Sequence, residues 1–150
     1  MDNKEVADRL KSICQLDIDA IHAYIKANDH IEQMDIKSNI SKFQSDHARH
    51  VKDLSDMIRS YGGEPPEFSK DFKGFLLQAF ASIRGITGTE GALKALRGGE
   101  KMTNSSYHDA VSQDFPPMVM VLLRRNYDDE QRHISYIDQC LNTRVWEKAA

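Results

Sequence analysis

Histidines and carboxylates interrupt the apolar helical patterns of this sequence, and their types and spacing suit metal binding. Glu130 and His133 lie three positions apart, which places a carboxylate and an imidazole one turn apart on the same helix face. Helix bundles use this Glu-x-x-His pattern to hold di-iron. Such side chains are costly to bury unless they are paired or bind a metal. The corresponding interruptions elsewhere are Asp17, His47, His50 and Glu100. We expect these residues to converge on one metal site inside the protein.

The two halves of the chain repeat these residues at a constant offset of 83 positions. Asp17 corresponds to Glu100, and His50 corresponds to His133, so each carboxylate precedes its histidine by 33 residues. The same offset relates three further pairs: Tyr24 and Tyr107, Asp46 and Asp129, and Arg49 and Arg132. Five aligned positions predict a pseudo-two-fold site to which each half supplies one metal's ligands.

The elements that must position these residues are four helices. Apolar residues recur at heptad-like spacing over four stretches of the chain, and each stretch carries its polar interruptions near the middle of the apolar line. The predicted helices cover Val6–Ile31, Ile36–Tyr61, Leu93–Ala110 and Val119–Cys140.

Local signals predict where several of these helices begin and end. Gly62–Gly63 is typical of a helix end, and Pro116–Pro117 is typical of a helix start, where proline is tolerated. Thr87 and Glu90 have the spacing of a capping box, in which the two side chains satisfy free backbone N–H groups at a helix N-terminus.

The lengths of the links predict the topology. Short links join the first helix to the second and the third to the fourth, so each pair should form an antiparallel hairpin. A long connection over Gly62–Gly85 joins the hairpins and contains an amphipathic segment that predicts a short extra helix, with Phe72, Leu76, Phe80 and Ile83 on its apolar face. We therefore predict an all-α four-helix bundle of one domain over residues 1–150.

Composition and charge argue against several functions. The chain has 20 Lys and Arg against 23 Asp and Glu, a net charge of -3, which gives no basic excess for binding nucleic acid. No apolar run predicts a membrane span, and the charged start is unlike a signal peptide. Cys14 and Cys140 lie in helical patterns with no Cys-x-x-Cys motif, which favours two small buried side chains in a reduced, cytoplasmic protein.

The sequence resembles the ferritin-like superfamily, in particular the small bacterial rubrerythrin-like and bacterioferritin-like four-helix domains. The resemblance spans about residues 5 to 142. It rests on Leu16-Asp17-x6-Tyr24, Asp46-His47-x-x-His50 followed by Gly62–Gly63, Glu100-x6-Tyr107, and Asp129-Glu130-x-x-His133. Membership would imply a di-iron site that oxidises Fe(II) with O₂ or peroxide, in iron handling or defence against oxidative stress. It would make Asp17, Glu100, Glu130, His50 and His133 metal ligands.

The first half departs from the pattern of that superfamily. His47 stands where the superfamily has a glutamate, and the shorter Asp17 stands where the first helix usually offers a glutamate. Three carboxylates and three imidazoles would leave residual positive charge on two divalent cations. Asp46 could substitute for His47 as a ligand. An asymmetric site, a single metal, and zinc or manganese in place of iron remain open.

Less specific interpretations apply to several polar and aromatic residues. Glu130 and His133 could form a surface pair on a charged helix. Asp19 lies about 200° around the helix from Asp17, which predicts that Asp19 is solvated. Other side chains are expected on the surface or as plain core aromatics: His22, His30 and His108 on the surface, Tyr24 and Tyr107 in the core.

Three functions follow from this pattern. The first is a metal-binding, di-iron redox protein that acts on O₂ or peroxide, for which no catalytic base can be named. The second, an alternative, is a structural or interaction module with a degenerate or metal-free centre. The third is a storage cage, whose large self-complementary surfaces a sequence does not reveal. A homodimer is the expected assembly.

Overall fold

The computed structural model describes residues 1–68 and 87–148, and in these ranges it has four long α-helices. They are α1 (Asn3–Asn28), α2 (Met34–Ser60), α3 (Gly88–Val111) and α4 (Pro117–Asn142), followed by a 3₁₀ turn over Val145–Glu147. The predicted all-α four-helix bundle is confirmed. The segment expected to form a short extra helix, with Phe72, Leu76, Phe80 and Ile83, lies outside the described residues.

The two hairpins are antiparallel. The five-residue link Asp29–Gln33 joins α1 to α2, and the similar link Ser112–Pro116 joins α3 to α4. The contacts run in opposite chain directions: Asn28 Nδ2 donates to Ser41 Oγ near one end, while Cys14 contacts Val51 towards the other. In addition α1 packs against α3 and α2 against α4, so each hairpin faces the other.

The helix ends follow the local sequence with one exception. Pro117 is the first residue of α4, as predicted. Gly62 ends the turn after α2 with φ +80°, a conformation that glycine adopts without strain. Gly63 lies so close to α1 that an added Cβ would be 2.8 Å from Ala7 Cβ. The residue at position 63 must therefore be small for the first hairpin to close at this end.

The predicted capping box at the start of α3 is wrong. Thr87 occupies the N-cap position, but its side chain makes no capping hydrogen bond, and Glu90 pairs with Lys94 at 3.0 Å. The threonine that makes side-chain hydrogen bonds at this helix start is Thr89. Its hydroxyl donates to Gln33 Oε1 at 2.7 Å and accepts from Glu32 N–H at 3.0 Å, so the hydroxyl fastens the α1–α2 link to the start of α3.

A polar layer divides the apolar core into two clusters. One cluster is built from the C-terminal half of α1, the N-terminal half of α2, and the matching ends of α3 and α4; Tyr24, Ile40, Leu96 and Ile137 represent it. The other fills the opposite end of the bundle, with Leu10, Leu54, Tyr107 and Leu123. Between them lie the buried histidines and carboxylates, because the polar interruptions fall near mid-helix in all four helices.

Two expectations about exposure are wrong, and two are confirmed. Asp19 and His22 are buried, although both were expected at the surface. The reason is that α1 is buried on all sides from Leu16 to Tyr24, and the His22 ring lies 4.9 Å from the ring of Phe68. His30 and His108 are exposed, as predicted. None of the helices in the described ranges is both long enough and apolar enough to cross a membrane.

Candidate metal centre

The six predicted metal-ligating side chains are all buried in the polar layer. Asp17 comes from α1, Glu100 from α3, and the other four come in pairs from α2 and α4. Five of the six residues have 0% exposure and Glu100 has 1%. Their donor atoms fall into two overlapping groups, in each of which all atoms lie within 4.8 Å of one another: Asp17, His47, His50 and Glu130, and His47, Glu100, Glu130 and His133.

The first donor group centres on Asp17 Oδ1 and Glu130 Oε1. Asp17 Oδ1 lies 2.7 Å from His47 Nδ1 and 3.1 Å from His50 Nδ1. Glu130 Oε1 lies 3.4 Å from His47 Nδ1 and 3.5 Å from His50 Nδ1. Two imidazole nitrogens and two carboxylate oxygens thus face one another, a donor set that suits a divalent transition metal.

The second donor group repeats this arrangement with the other atoms of the shared residues. Glu100 Oε1 lies 2.9 Å from His47 Nε2 and 3.4 Å from His133 Nδ1. Glu130 Oε2 lies 3.4 Å from His133 Nδ1. The residues common to both groups are therefore His47 and Glu130, which occupy equivalent positions in the 83-residue repeat.

The outer nitrogens of two histidines contact carboxylates of the opposite hairpin. His50 Nε2 lies 2.9 Å from Asp129 Oδ2, and His133 Nε2 lies 2.8 Å from Asp46 Oδ2. Such outer contacts fix the orientation and tautomer of a metal-binding histidine. The Asp46 carboxylate does not take the place of His47. It contacts His133 from outside and belongs to neither donor group.

Two arginines complete this outer layer. Arg49 donates to Asp129 at 2.5 Å and to Asp46 at 3.3 Å, while Arg132 donates to Asp46 at 2.9 Å and to Asp129 at 3.0 Å. We call these four residues the Asp–Arg ring. The ring joins α2 to α4 above the histidines and follows the predicted two-fold repeat.

The two tyrosines of the repeat are hydrogen-bonded to the centre, whereas the sequence predicted plain core aromatics. The Tyr107 hydroxyl donates to Asp17 Oδ2 at 2.6 Å, and the Tyr24 hydroxyl donates to Glu100 Oε1. Each tyrosine thus binds the carboxylate of the other hairpin. Tyr107 also accepts a hydrogen bond from Asn126 Nδ2 at 3.3 Å. The signal for this role was present in the spacing, since each tyrosine lies two turns along the ligand face from its own carboxylate.

Sequence reasoning also missed Thr103, whose buried hydroxyl lies 3.3 Å from both Glu100 Oε2 and Glu130 Oε2. Thr103 occupies the core-facing line of α3 immediately after Glu100, in a position where an apolar residue was expected. A hydroxyl at such a position indicates a nearby buried acceptor, because an unpaired buried hydroxyl is costly.

The carboxylate neighbours of the three histidines raise the pKa of each imidazole and so favour its charged form. Burial alone would lower the pKa of His50, but the charge of Asp17 and a hydrogen bond to Asp129 raise it to about 10. Burial likewise opposes protonation of His133, yet Asp46 and Glu100 raise its pKa to about 9. The pKa of His47 is raised well above its ordinary value despite complete burial, chiefly by the charge of Glu130.

The carboxylates differ in how well they are compensated. Burial alone would raise the pKa of Asp17, but His50 and His47 lower it to about 2. The pKa of Glu100 is lowered against burial by His133 and His47. Burial and the negative charge of Glu100 instead raise the pKa of Glu130. Glu130 is therefore the carboxylate whose negative charge is least compensated in the metal-free centre.

Unsatisfied polar atoms at the centre fit a metal. Among the described residues, Glu130 Oε1 and His133 Nδ1 are buried without a hydrogen-bond partner. An unpaired buried polar atom needs an explanation, and a bound ion is one of them. Both atoms belong to the donor groups, and imidazole nitrogen with carboxylate oxygen suits iron, zinc and manganese. The residues present therefore fit a transition-metal centre.

The cysteines take no part in the centre. Both are free and buried. Cys14 Sγ lies 3.9 Å from the Val51 carbonyl oxygen, and burial raises the pKa of its thiol to about 12. The prediction of two small buried side chains is confirmed.

The fold and the site define a class of protein, namely an all-α four-helix bundle with buried histidine and carboxylate groups that could hold a metal ion. Within that class, the chain belongs to the family described as Domain of unknown function (DUF2383), whose profile matches residues 5–113. The match includes Asp17, His47, His50 and Glu100 and ends before α4. No curated protein matches the sequence.

Proposed function

We propose that this protein is a ferritin-like metalloprotein that binds two metal ions, foremost iron, and acts in Fe(II) oxidation or in the handling of O₂ or peroxide. We also propose that residues 1–150 form one domain, since both hairpins contribute to one centre. The observation that carries the proposal is the convergence of six buried donor side chains into two donor groups at the middle of the bundle.

Each donor group supplies two nitrogens and two oxygens. Asp17 and His50 would hold one ion, Glu100 and His133 the other, and the shared side chains lie between them. Bound iron would supply one-electron redox chemistry towards O₂ or peroxide. Iron, zinc and manganese accept the same donors, so the choice of iron rests on the resemblance to the ferritin-like superfamily.

The protein's own residues prepare the site for this chemistry. The two apolar clusters exclude water above and below the polar layer, which strengthens electrostatic interactions within it. Tyr24 and Tyr107 orient the carboxylates of the opposite hairpin by hydrogen bonds. The Asp–Arg ring holds the outer nitrogens of His50 and His133, so that their Nδ1 atoms face inward.

Anaerobic loading with Fe(II) tests the proposal. Protein freed of metal by chelation is incubated with excess Fe(II), desalted and analysed for iron, with two ions per chain expected. Exposure to air should then produce the near-ultraviolet absorption of oxidised iron. Glu130→Ala and His133→Ala should reduce uptake, while Glu90→Ala and His108→Ala, which remove residues of the same types outside both donor groups, should not. Failure of the unmodified protein to take up iron would refute the proposal.

One observation favours a second candidate, a structural or interaction module with a metal-free centre. The carboxylate surroundings raise the pKa of all three buried imidazoles, and positive charge on these rings would offset the buried carboxylates without a metal. Under this alternative, chelation should leave the melting temperature of the purified protein unchanged. Under the first proposal, added metal should raise it in a concentration-dependent way.

A further inference from the structure

The way in which this site would hold two cations depends on His47, and this role rests on the proposed function. His47 differs from the other two histidines of the centre in the use of its ring nitrogens. In His50 and His133, Nδ1 faces a donor group and Nε2 faces an outer carboxylate of the Asp–Arg ring. That is the arrangement of a ligand that binds one metal and is oriented from outside.

His47 has no outer carboxylate of this kind among its contacts in the described residues. Its Nδ1 lies 2.7 Å from Asp17 Oδ1 in the first donor group, and its Nε2 lies 2.9 Å from Glu100 Oε1 in the second. The ring is fully buried, with the Tyr24 ring 5.1 Å away. Both nitrogens are thus directed at carboxylates of different donor groups.

Glu130 has the same property at the equivalent position of the repeat. Its Oε1 faces His47 and His50, while its Oε2 faces His133. A side chain with one donor atom in each group is a bridging ligand when both groups are filled. The repeat therefore pairs a carboxylate that faces both groups with an imidazole that faces both groups.

We propose that His47 binds one divalent cation through Nδ1 and a second through Nε2, as an imidazole bridge opposite the carboxylate bridge of Glu130. A ring bound through both nitrogens carries no N–H proton, because metal ligands must be deprotonated; the protons pass to water and the ring holds one negative charge. With three carboxylates this gives four negative charges, which equals the charge of two divalent cations. The bridge thus supplies the charge that the glutamate expected at this position would have supplied.

Nitrogen NMR of the zinc-loaded protein tests the bridge without any activity measurement. The full chain is labelled with ¹⁵N-histidine, freed of metal and titrated with Zn²⁺, while bound zinc is measured by metal analysis. At two zinc ions per chain, we expect both ring nitrogens of His47 to have the shifts of metal-bound nitrogen and to carry no proton. His50 and His133 should each retain one protonated Nε2, which makes them internal controls.

The variants His47→Glu and His47→Gln identify the signals and sharpen the result. Both should lose the proton-free ring signals. His47→Glu retains a bridging carboxylate and should still take up two zinc ions. His47→Gln removes the charge and a donor, so the second ion should bind about tenfold or more weakly. Circular dichroism establishes that each variant is folded, and the NMR of the unmodified chain decides the question if a variant is not.

The outcomes separate the bridge from the proposed function. If zinc binds but His47 keeps a proton on one nitrogen, His47 is a terminal ligand; the bridge is then refuted and the metal site stands. If neither zinc nor iron binds, the bridge and the metalloprotein proposal both fail. Two bound ions with a proton-free His47 ring would support both.

Discussion

The two hairpins supply the same number of buried donor side chains, but of different chemistry. The α1–α2 hairpin contributes one carboxylate and two imidazoles, whereas the α3–α4 hairpin contributes two carboxylates and one imidazole. Around these donors the contacts are nearly identical. Each hairpin has a histidine whose outer nitrogen contacts an aspartate of the other hairpin, and a tyrosine that donates a hydrogen bond to a carboxylate of the other hairpin.

The two hairpins share their outer contacts and differ in the chemistry of one inner donor. The outer contacts obey the repeat, since each aspartate of the ring contacts a histidine and an arginine of the opposite hairpin. The difference lies at position 47, where an imidazole occupies the place that Glu130 occupies in the second hairpin. Charge at the centre is therefore distributed unequally between halves that are otherwise alike.

The largest expected effect comes from removing the shared carboxylate. Glu130→Ala takes an oxygen donor from both groups, so iron uptake should fall from two ions per chain to none at micromolar iron. Asp17→Asn affects the first group alone and should leave one ion bound. Anaerobic titration followed by metal analysis measures both, with Glu90→Ala, a glutamate outside both donor groups, as the matched control. Equal losses in the two variants would contradict the sharing of Glu130.

The pH dependence of the metal-free protein should separate the histidines of the two hairpins. The pKa values of His133 and His50 rise from 6.5 to about 9 and about 10 on folding. Their stabilisation is therefore complete below pH 6.5 and is lost as the pH rises, first through about 9 and then through about 10. Urea denaturation between pH 6 and 10.5 measures the free energy of unfolding.

Matched variants assign the two losses of unfolding free energy with rising pH to individual histidines. His133→Gln should remove the earlier loss of stability, His50→Gln the later one, and the exposed His108→Gln neither. A free energy of unfolding that stays constant, or rises, from pH 7 to 10 in the unmodified protein would contradict the protonated state of these imidazoles.

A smaller effect is expected from the crossed tyrosines. Tyr24→Phe and Tyr107→Phe each remove a hydrogen bond to a buried charged acceptor, which typically costs about 1.5–3 kcal/mol of unfolding free energy. Tyr107→Phe should cost more, because Asn126 then loses its hydrogen-bond acceptor as well. Urea denaturation of the metal-free variants provides the test, with the half-buried Tyr127→Phe as control. A larger cost for Tyr24→Phe would contradict the contribution of Asn126.

The smallest effect should come from the arginines of the Asp–Arg ring. Their side chains are 41% and 52% exposed for Arg49 and Arg132, so each should contribute less than about 1 kcal/mol. Arg49→Gln and Arg132→Gln should lower the free energy of unfolding by similar amounts in low salt, and by less in high salt. A clear difference between them would break the equivalence of the outer contacts.

The fold and the meeting of six buried candidate donors could be predicted from the sequence, because both depend on spacing along a helix. A stripe with a polar break places Asp17 or Glu130 at a known angle and height on its helix. When the polar residues of all four helices lie at the same level along the bundle, their side chains meet in its interior. The homodimer and the cytoplasmic location stay predictions, since they depend on surfaces and context that spacing along one chain does not encode.

The angular position of a residue around its helix does not predict burial where the helix is covered on more than one side. Asp19 and His22 lie away from the stripe that faces the bundle, yet both are buried, and Phe68 packs on His22. The capping prediction at Thr87 failed for a related reason, because Thr89 and Gln33 bond across elements distant in sequence. Hydrogen bonds between remote segments require the tertiary structure.

The crossed tyrosines make the two hairpins dependent on each other's presence. A hairpin produced as a separate polypeptide would carry a carboxylate whose hydroxyl donor resides on the missing piece, and a hydroxyl whose acceptor is missing. When both pieces are mixed, the two cross-bonds form together only if one copy of each associates. Fragment complementation of this chain should therefore be selective, with each half recognising its complement through a pair of reciprocal hydrogen bonds.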